Sequence, residues 1–191
     1  MTFGVSPHAA AALGHELSER FTALCRAVDI ATAQPGDLVG EHDEAHGNRA
    51  FLRHYCVHLT GPPRHRGLAA CTADARTARG FNGDIAQHAR RWRGEAQDED
   101  PAVLGRRLAR KTLFAVAGLV SVRDATWTTD RATAARRLAH LEPAAAEDLA
   151  RLLRWSDGVE AADAGAVSQS LDGIVERIAS EFAHSIGLWP D

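Results

Sequence analysis

A chain of 191 residues is long enough for one well-packed core, or for one domain and a fragment of another. The net charge of −3 gives no electrostatic reason to expect nucleic-acid binding, and no apolar run approaches the ~20 residues of a membrane span. The three cysteines show no paired spacing, which indicates a reducing compartment. Because no signal peptide is visible either, the sequence predicts a cytoplasmic protein.

The first forty residues predict one helix and one strand. Ser6-Pro7 is a helix start, and the apolar stripe that follows it continues to about Arg26. Residues 27–32 are short, partly β-branched and followed by a turn signal at 35–37, so they predict a strand with Asp29 in its middle. A carboxylate in a strand is costly unless it is paired or functional. The alternative is that this segment is a loop and Asp29 is solvated, and the sequence leaves both possibilities open.

Helix signals dominate the rest of the chain, and the connections between them are short. The spacing of apolar residues predicts helices over 43–59, 81–92, 101 to beyond 119, 129–141, 143–158 and 166–186, with a polar loop over 64–79. Asp100-Pro101 starts the clearest of these helices, with Asp100 as its cap and with Leu104, Leu108, Phe114 and Leu119 facing inward. The predicted fold class is therefore mainly α, an antiparallel bundle of five to six helices over 41–191 that follows the helix and strand of residues 1–40.

Histidine spacing suggests two kinds of site, and both patterns are common by chance in this chain. His42/His46 and His54/His58 stand at i,i+4 spacing and could each place two imidazoles on one metal. No third ligand is near, so pairs of surface histidines are the preferred interpretation. Arg53 and His58 have the Arg-to-His spacing of the HEPN ribonucleases, which makes RNA cleavage an alternative function.

The order of several segments resembles the aminoglycoside adenylyltransferases of the streptomycin/spectinomycin-modifying type. Residues 52–62 are similar to the Arg-x-His-x-x-x-Leu-x-Gly-Pro helix end of that family. Residues 100–111, 127–132 and 143–155 follow in the order of its C-terminal helical domain, and 27–31 resemble the last core strand of its catalytic domain. The resemblance covers most of the chain from about residue 27 onward.

This resemblance implies an enzyme that transfers AMP from ATP to an antibiotic hydroxyl with the help of Mg²⁺. Carried over by position, Asp29 matches the strand acid that serves in that family as the base toward the substrate hydroxyl. Asp100 falls at the acid that meets a small cationic substrate such as an aminoglycoside. Arg110, with Lys111 beside it, falls at an arginine that meets the nucleotide, and Arg131 stands close to a second basic position.

One essential part of that family is missing from the sequence. No Gly-Ser turn followed by Asp-x-Asp, the family's triphosphate cradle and magnesium site, occurs anywhere. Residues 1–40 are therefore interpreted as a remnant of a nucleotidyltransferase domain, and the chain is expected to be inactive alone. A partner nucleotidyltransferase domain or a homodimer, paired through the edge of strand 27–32, is one hypothesis. The alternative is a helical module that binds a ligand or a protein partner; neither nucleic acid nor membrane is expected as a partner.

Overall fold

The chain divides into two compact units, Met1–Glu41 and His42–Asp191. The computed structural model describes residues 2–25, 28–56, 68, 70–128 and 130–190. These residues are mainly helical, with two strands of two residues each, which confirms the predicted mainly-α class. That the first unit is the remnant of a nucleotidyltransferase domain stays a prediction.

The first unit consists of one helix and a pair of very short strands. Its elements are β1 (Thr2–Phe3), α1 (Pro7–Arg20), β2 (Thr32–Ala33) and a 3-10 turn (Pro35–Leu38), with β1 and β2 parallel. Helix α1 begins as predicted, because the Ser6 hydroxyl accepts a hydrogen bond from the Ala9 amide at 3.2 Å. It ends at Arg20, about two turns before the predicted end.

The strand predicted over 27–32 is wrong for most of its length. Of its described residues only Thr32 is in a strand, and Asp29 is exposed and outside it; Ala27 lies outside the described residues. The chain instead folds back along α1, where the Val28 amide donates to the Ser18 hydroxyl at 2.8 Å. The Val28 amide is therefore bonded to a side chain of α1 and not to a neighbouring strand. Asp29 is thus a loop residue, and the homodimer inferred from this edge stays a prediction.

The second unit is built around one long helix. Its helices are α2 (Asp43–His54), α3 (Ala75–Asn82), α4 (Ile85–Glu95), α5 (Pro101–Asp124), α6 (Arg131–Leu141), α7 (Ala146–Asp157), α8 (Ala164–Ser170) and α9 (Glu176–Ser185). A 3-10 turn precedes α7, and a π-helical turn (Leu171–Val175) joins α8 to α9. Helix α5 contacts α3, α4, α6, α7, α8 and α9. None of the described helices combines the length and the apolarity that crossing a membrane requires.

The central helix α5 confirms most of what its sequence predicts. Asp100 caps it by accepting a hydrogen bond from the Ala102 amide at 2.8 Å. Leu104, Leu108 and Leu119 are buried as expected. The inward orientation predicted for Phe114 is wrong, since its side chain is 41% exposed. The side chain of Phe114 borders a cavity instead of packing into the core.

The predicted loop over 64–79 is also wrong in its described C-terminal part. Helix α3 begins at Ala75, and the Asp74 carboxylate caps it by accepting from the Thr77 amide at 2.9 Å. Its small residues allow a very close approach to α2. A Cβ atom on Gly47 of α2 would lie 2.5 Å from the carbonyl oxygen of Gly80 of α3. The small residues of this segment suggested a loop, but in the structure they allow the backbones of α2 and α3 to touch where the two helices cross.

Candidate aromatic cavity

A cavity of about 230 Å³ lies within the second unit, between α2, α3, α5 and the segment that follows α5. Its walls are largely apolar. Five of the residues that line it are aromatic: Phe51, Tyr55, Phe81, Phe114 and Trp127. We call this feature the aromatic cavity.

The crossing of α2 and α3 positions one wall of the aromatic cavity. Phe51 and Tyr55 follow Gly47 by four and eight residues, so all three lie on one face of the helix. Because Gly47 touches the backbone of Gly80, this face of α2 is held against α3 next to Phe81. Because Gly47 and Gly80 have no Cβ atoms, α2 and α3 can approach closely enough for the rings of Tyr55 and Phe81 to make contact.

Three of the rings contact one another. The Tyr55 and Phe81 ring centroids are 5.3 Å apart at an angle of 59°, and the Trp127 ring stands nearly perpendicular to both, at 6.3 Å from Tyr55 and 6.2 Å from Phe81. Tilted and edge-to-face pairs of this kind are favourable for aromatic side chains. Burial raises the pKa of Tyr55 above its usual 10.0, so its phenol is neutral at physiological pH.

Helix α5 supplies the opposite wall. Lys111, Phe114, Gly118 and Ser121 are spaced by three to four residues and therefore share one face of the helix. The helix ends at Asp124, and the next residue, Ala125, has a left-handed φ of 54°. Two residues later the chain lines the cavity again with Trp127, whose indole N–H donates to the Cys71 carbonyl at 3.3 Å.

A few polar side chains interrupt the apolar lining. The Asn82 amide donates to the Phe114 carbonyl at 3.2 Å, and the Lys111 ammonium donates to the Phe81 carbonyl at 3.2 Å. The Ser121 hydroxyl is buried and has no hydrogen-bond partner among the described residues. An apolar, concave site with a small number of polar groups is the usual form of a small-molecule site.

The charge of Lys111 is balanced inside the fold. Its ammonium lies 2.7 Å from one carboxylate oxygen of Asp84, whose other oxygen lies 3.0 Å from His88 Nε2. Burial raises the pKa of Asp84, but the hydrogen bonds and positive charges of His88 and Lys111 outweigh it and lower that pKa to about 2 from the usual 3.8. A ligand of the aromatic cavity therefore does not need to carry a negative charge.

We expect Asp84→Asn to lower the free energy of unfolding by about 2 kcal/mol at neutral pH, because the shift in pKa corresponds to that amount. The Asp84 side chain is only 19% exposed, so solvent screening reduces this value little. Since the folded pKa is lowered, the contribution is present above about pH 5 and is lost as the pH falls through about 2. Urea unfolding over this pH range should show that the free energies of unfolding of wild type and Asp84→Asn become equal at acid pH.

The control for this prediction is Asp98→Asn, which removes the same charge from the exposed turn after α4. Its effect should stay within about 0.5 kcal/mol at every pH. A loss at Asp84→Asn that is independent of pH would contradict the prediction.

The structure does not bring the predicted site residues together at one place. Lys111 lines the aromatic cavity. Arg110, its neighbour on α5, projects about 100° away around the helix and donates through Nε to the Ser156 carbonyl at 3.1 Å. Arg131 lies 3.2 Å from the Asp157 carboxylate, so it meets the same end of α7 as Arg110.

The two predicted acids lie elsewhere. Asp100 precedes Lys111 by eleven residues, or about 16 Å along the axis of α5, and its carboxylate is engaged as the helix cap. Asp29 belongs to the first unit, where it borders an open depression against α1 together with Gly14 and Ser18. The roles that the resemblance implies for these residues stay predictions.

Apart from Lys111, sequence reasoning missed the residues that form the aromatic cavity. The apolar spacing places Phe51 and Tyr55 on one helix and Phe81 at the start of another, with no indication that they meet. The Gly47 and Gly80 pair is the signal that could have indicated a close helix crossing. A single glycine within a helical pattern is not specific for such a crossing, however, because it also occurs near helix ends.

The described residues provide no ready magnesium or zinc centre. They contain no group of three His, Cys, Asp or Glu side chains placed to hold a metal ion. His46 is engaged instead with the Thr77 hydroxyl, at 2.9 Å. His58, which completes both the second histidine pair and the spacing with Arg53, lies outside the described residues. No catalytic step through Mg²⁺ can be derived from this arrangement.

Comparison with protein-family models, with curated proteins and with solved structures finds no match to this chain. The adenylyltransferase resemblance therefore has no independent support, and the ligand of the aromatic cavity is inferred from the chemistry of its own walls.

Proposed function

We propose that the second unit is a ligand-binding module that takes a small aromatic molecule in the aromatic cavity. The observation that carries this proposal is the set of three mutually contacting rings, Tyr55, Phe81 and Trp127, around an apolar space of about 230 Å³. Aromatic side chains recognise flat ligands by stacking and edge-to-face contact. A helical ligand-binding module is the alternative function predicted from the sequence.

The volume and the charge of the cavity restrict the class of molecule that it can bind. Its volume is below the roughly 300–1,000 Å³ of sites for drug-sized molecules, which favours one ring or two fused rings. A small cationic ligand fits less well, because the described residues that line the cavity include no carboxylate to pair with it. The favoured class is a neutral aromatic molecule.

We expect naphthalene to bind saturably at one site, observed as shifts of the indole N–H signal of Trp127 in two-dimensional NMR. Phe81→Ala should weaken this binding about tenfold, since it removes both ring contact and apolar area. Ala117→Leu should abolish it, because the added side chain fills the space that Ala117 borders.

Phe21→Ala is the matched control, since Phe21 is an exposed phenylalanine of the first unit. It should leave the affinity unchanged. Absence of saturable shifts, or equal weakening by Phe81→Ala and Phe21→Ala, would contradict the proposed function.

A second proposal retains the adenylyltransferase resemblance. Its support is the order of segments and the position of Arg110 and Arg131 at the same end of α7. In this proposal ATP, Mg²⁺ and an aminoglycoside are the ligands, and transfer requires a partner nucleotidyltransferase domain or a second copy. Calorimetric titration with ATP and Mg²⁺, then with spectinomycin and streptomycin, tests it. Drug binding that Asp100→Ala abolishes would support it, and the absence of any binding would contradict it.

A further inference from the structure

The segment that follows α9 folds back onto the end of α3. Gly187 adopts a left-handed φ of 93°, which lets the chain turn away from α9. Two residues later the Trp189 indole N–H donates to the Arg79 carbonyl at 2.7 Å, and the Trp189 amide donates to the Gly83 carbonyl at 2.9 Å. Arg79 and Gly83 stand on either side of Phe81 in the chain. Trp189 therefore holds the backbone that carries one ring of the aromatic cavity.

The indole of Trp189 lies directly on the backbone between α3 and α4. A Cβ atom on Gly83 would lie 2.2 Å from Cδ1 and 2.6 Å from Nε1 of this indole, so the contact requires a glycine. Because carbonyl groups at the end of a helix lack partners within that helix, the Trp189 amide supplies the Gly83 carbonyl with a bond that α3 cannot make itself. The end of α3 thus depends on a residue that lies more than a hundred positions further along the chain.

Arg79 connects the same segment to the other helix of the cavity wall. Its Nη1 donates to the Ile186 carbonyl at 2.8 Å, and its Nε donates to the Asp43 carboxylate at 2.5 Å. Asp43 is the first residue of α2, which also supplies aromatic rings to the cavity. Trp189 is not among the described residues that line the aromatic cavity, so its effect on a ligand must pass through these helices.

We propose that Trp189 is a positioning residue of the aromatic cavity. When its indole is seated on Gly83, the end of α3 holds Phe81 in the arrangement that binds the ligand, and when the indole is released the ligand binds more weakly. This inference rests on the proposed function and adds a second part of the molecule that sets the affinity. Because coupling between two sites is reciprocal, a ligand in the cavity must in turn favour the seated position of Trp189.

The first test measures naphthalene binding after removal of the indole. Trp189→Ala should weaken the binding about fivefold or more. Trp189→Phe, which keeps a ring but loses the indole N–H, should cause a smaller loss. Leu149→Ala is the control, since Leu149 is buried in α7 and does not line the cavity. It should destabilise the protein and leave the naphthalene affinity of the folded protein unchanged, which separates positioning from a general loss of stability.

The position of Phe81 can also be followed without a ligand. The Trp127 ring stands nearly perpendicular to the Phe81 ring, with centroids 6.2 Å apart, so the ring current of Phe81 contributes to the chemical shift of the Trp127 indole N–H. In the ligand-free protein, Trp189→Ala should move this NMR signal and Leu149→Ala should not.

Hydrogen exchange of the Trp189 indole N–H tests the coupling in the wild-type protein. Exchange requires the bond to the Arg79 carbonyl to open locally. Saturating naphthalene should slow this exchange by about the factor by which Trp189→Ala weakens binding, because one coupling free energy governs both measurements.

The possible failures can be told apart. If Trp189→Ala leaves the affinity unchanged, if Leu149→Ala weakens binding equally, or if naphthalene does not slow exchange at Trp189, the positioning role is overturned while the cavity remains a binding site. If naphthalene does not bind wild type, the proposed function fails. The Trp127 signal of the ligand-free protein then still decides the role of Trp189: a shift in Trp189→Ala supports it, and an unmoved signal overturns it.

Discussion

Trp155→Ala is expected to lower the free energy of unfolding of the second unit by about 3–5 kcal/mol. The indole of Trp155 on α7 is 1% exposed and lies against Gly105 of α5, where an added Cβ would be 3.6 Å from the ring. The Arg151 guanidinium lies over its face, 5.8 Å from the ring centroid. Because the ring fills the space between two helices that meet at a glycine, its removal leaves a cavity that neither backbone can close.

Urea unfolding followed by circular dichroism measures this loss. The control is Val159→Ala, four residues further along, where the side chain is 76% exposed. It should change the free energy of unfolding by no more than about 0.5 kcal/mol. A loss below about 1 kcal/mol at Trp155→Ala would show that the indole does not contribute to the core as the structure indicates.

Gly80→Ala is expected to have the second-largest effect, lowering the free energy of unfolding by about 1–3 kcal/mol. A Cβ atom at this position would lie 2.6 Å from the Asp43 carbonyl oxygen and 2.8 Å from the Gly47 amide nitrogen. Both are backbone atoms of α2, so the strain cannot be relieved by rotating a side chain. Helix α2 must move away, and Phe51 and Tyr55 move with it.

The same change is therefore expected to weaken naphthalene binding in the aromatic cavity, which links the helix crossing to the site. Gly94→Ala on α4 is the matched control, since a Cβ atom there meets nothing within 4 Å. Alanine is the better helix former, so this variant should gain up to about 1 kcal/mol. Chemical denaturation of the two variants should give changes of opposite sign. If both variants changed the free energy of unfolding in the same direction, the backbone contact between α2 and α3 would be contradicted.

Local signals in the sequence predict several helix boundaries correctly. Ser6 and Asp100 are identified as caps, and in the structure each side chain accepts a hydrogen bond from an amide of the first turn. Gly158 is predicted to end α7, where it adopts a left-handed φ of 73°. These features involve residues a few positions apart, so a sequence contains nearly all the information that decides them.

The predictions that are wrong depend on contacts outside the local segment. Residues 75–79 suggest a loop because they are small and polar, but they form helix α3 against the backbone of α2. Residues 28–31 suggest a strand because they are partly β-branched, but Val28 is bonded back to Ser18 of α1. Phe114 fits the inward stripe of α5 but lines a cavity instead. In each case a contact with a distant element overrides the local preference.

The sequence by itself determined that this protein is mainly helical, where several of its helices begin and which face of α5 is buried. Each of these properties follows from the spacing of apolar residues and from caps within one turn. Only the tertiary structure decided that Phe51, Phe81 and Trp127, which are far apart in the chain, share one cavity. The physical reason is that helix packing depends on which surfaces approach closely enough, here at Gly47 and Gly80, and no local pattern records that pairing.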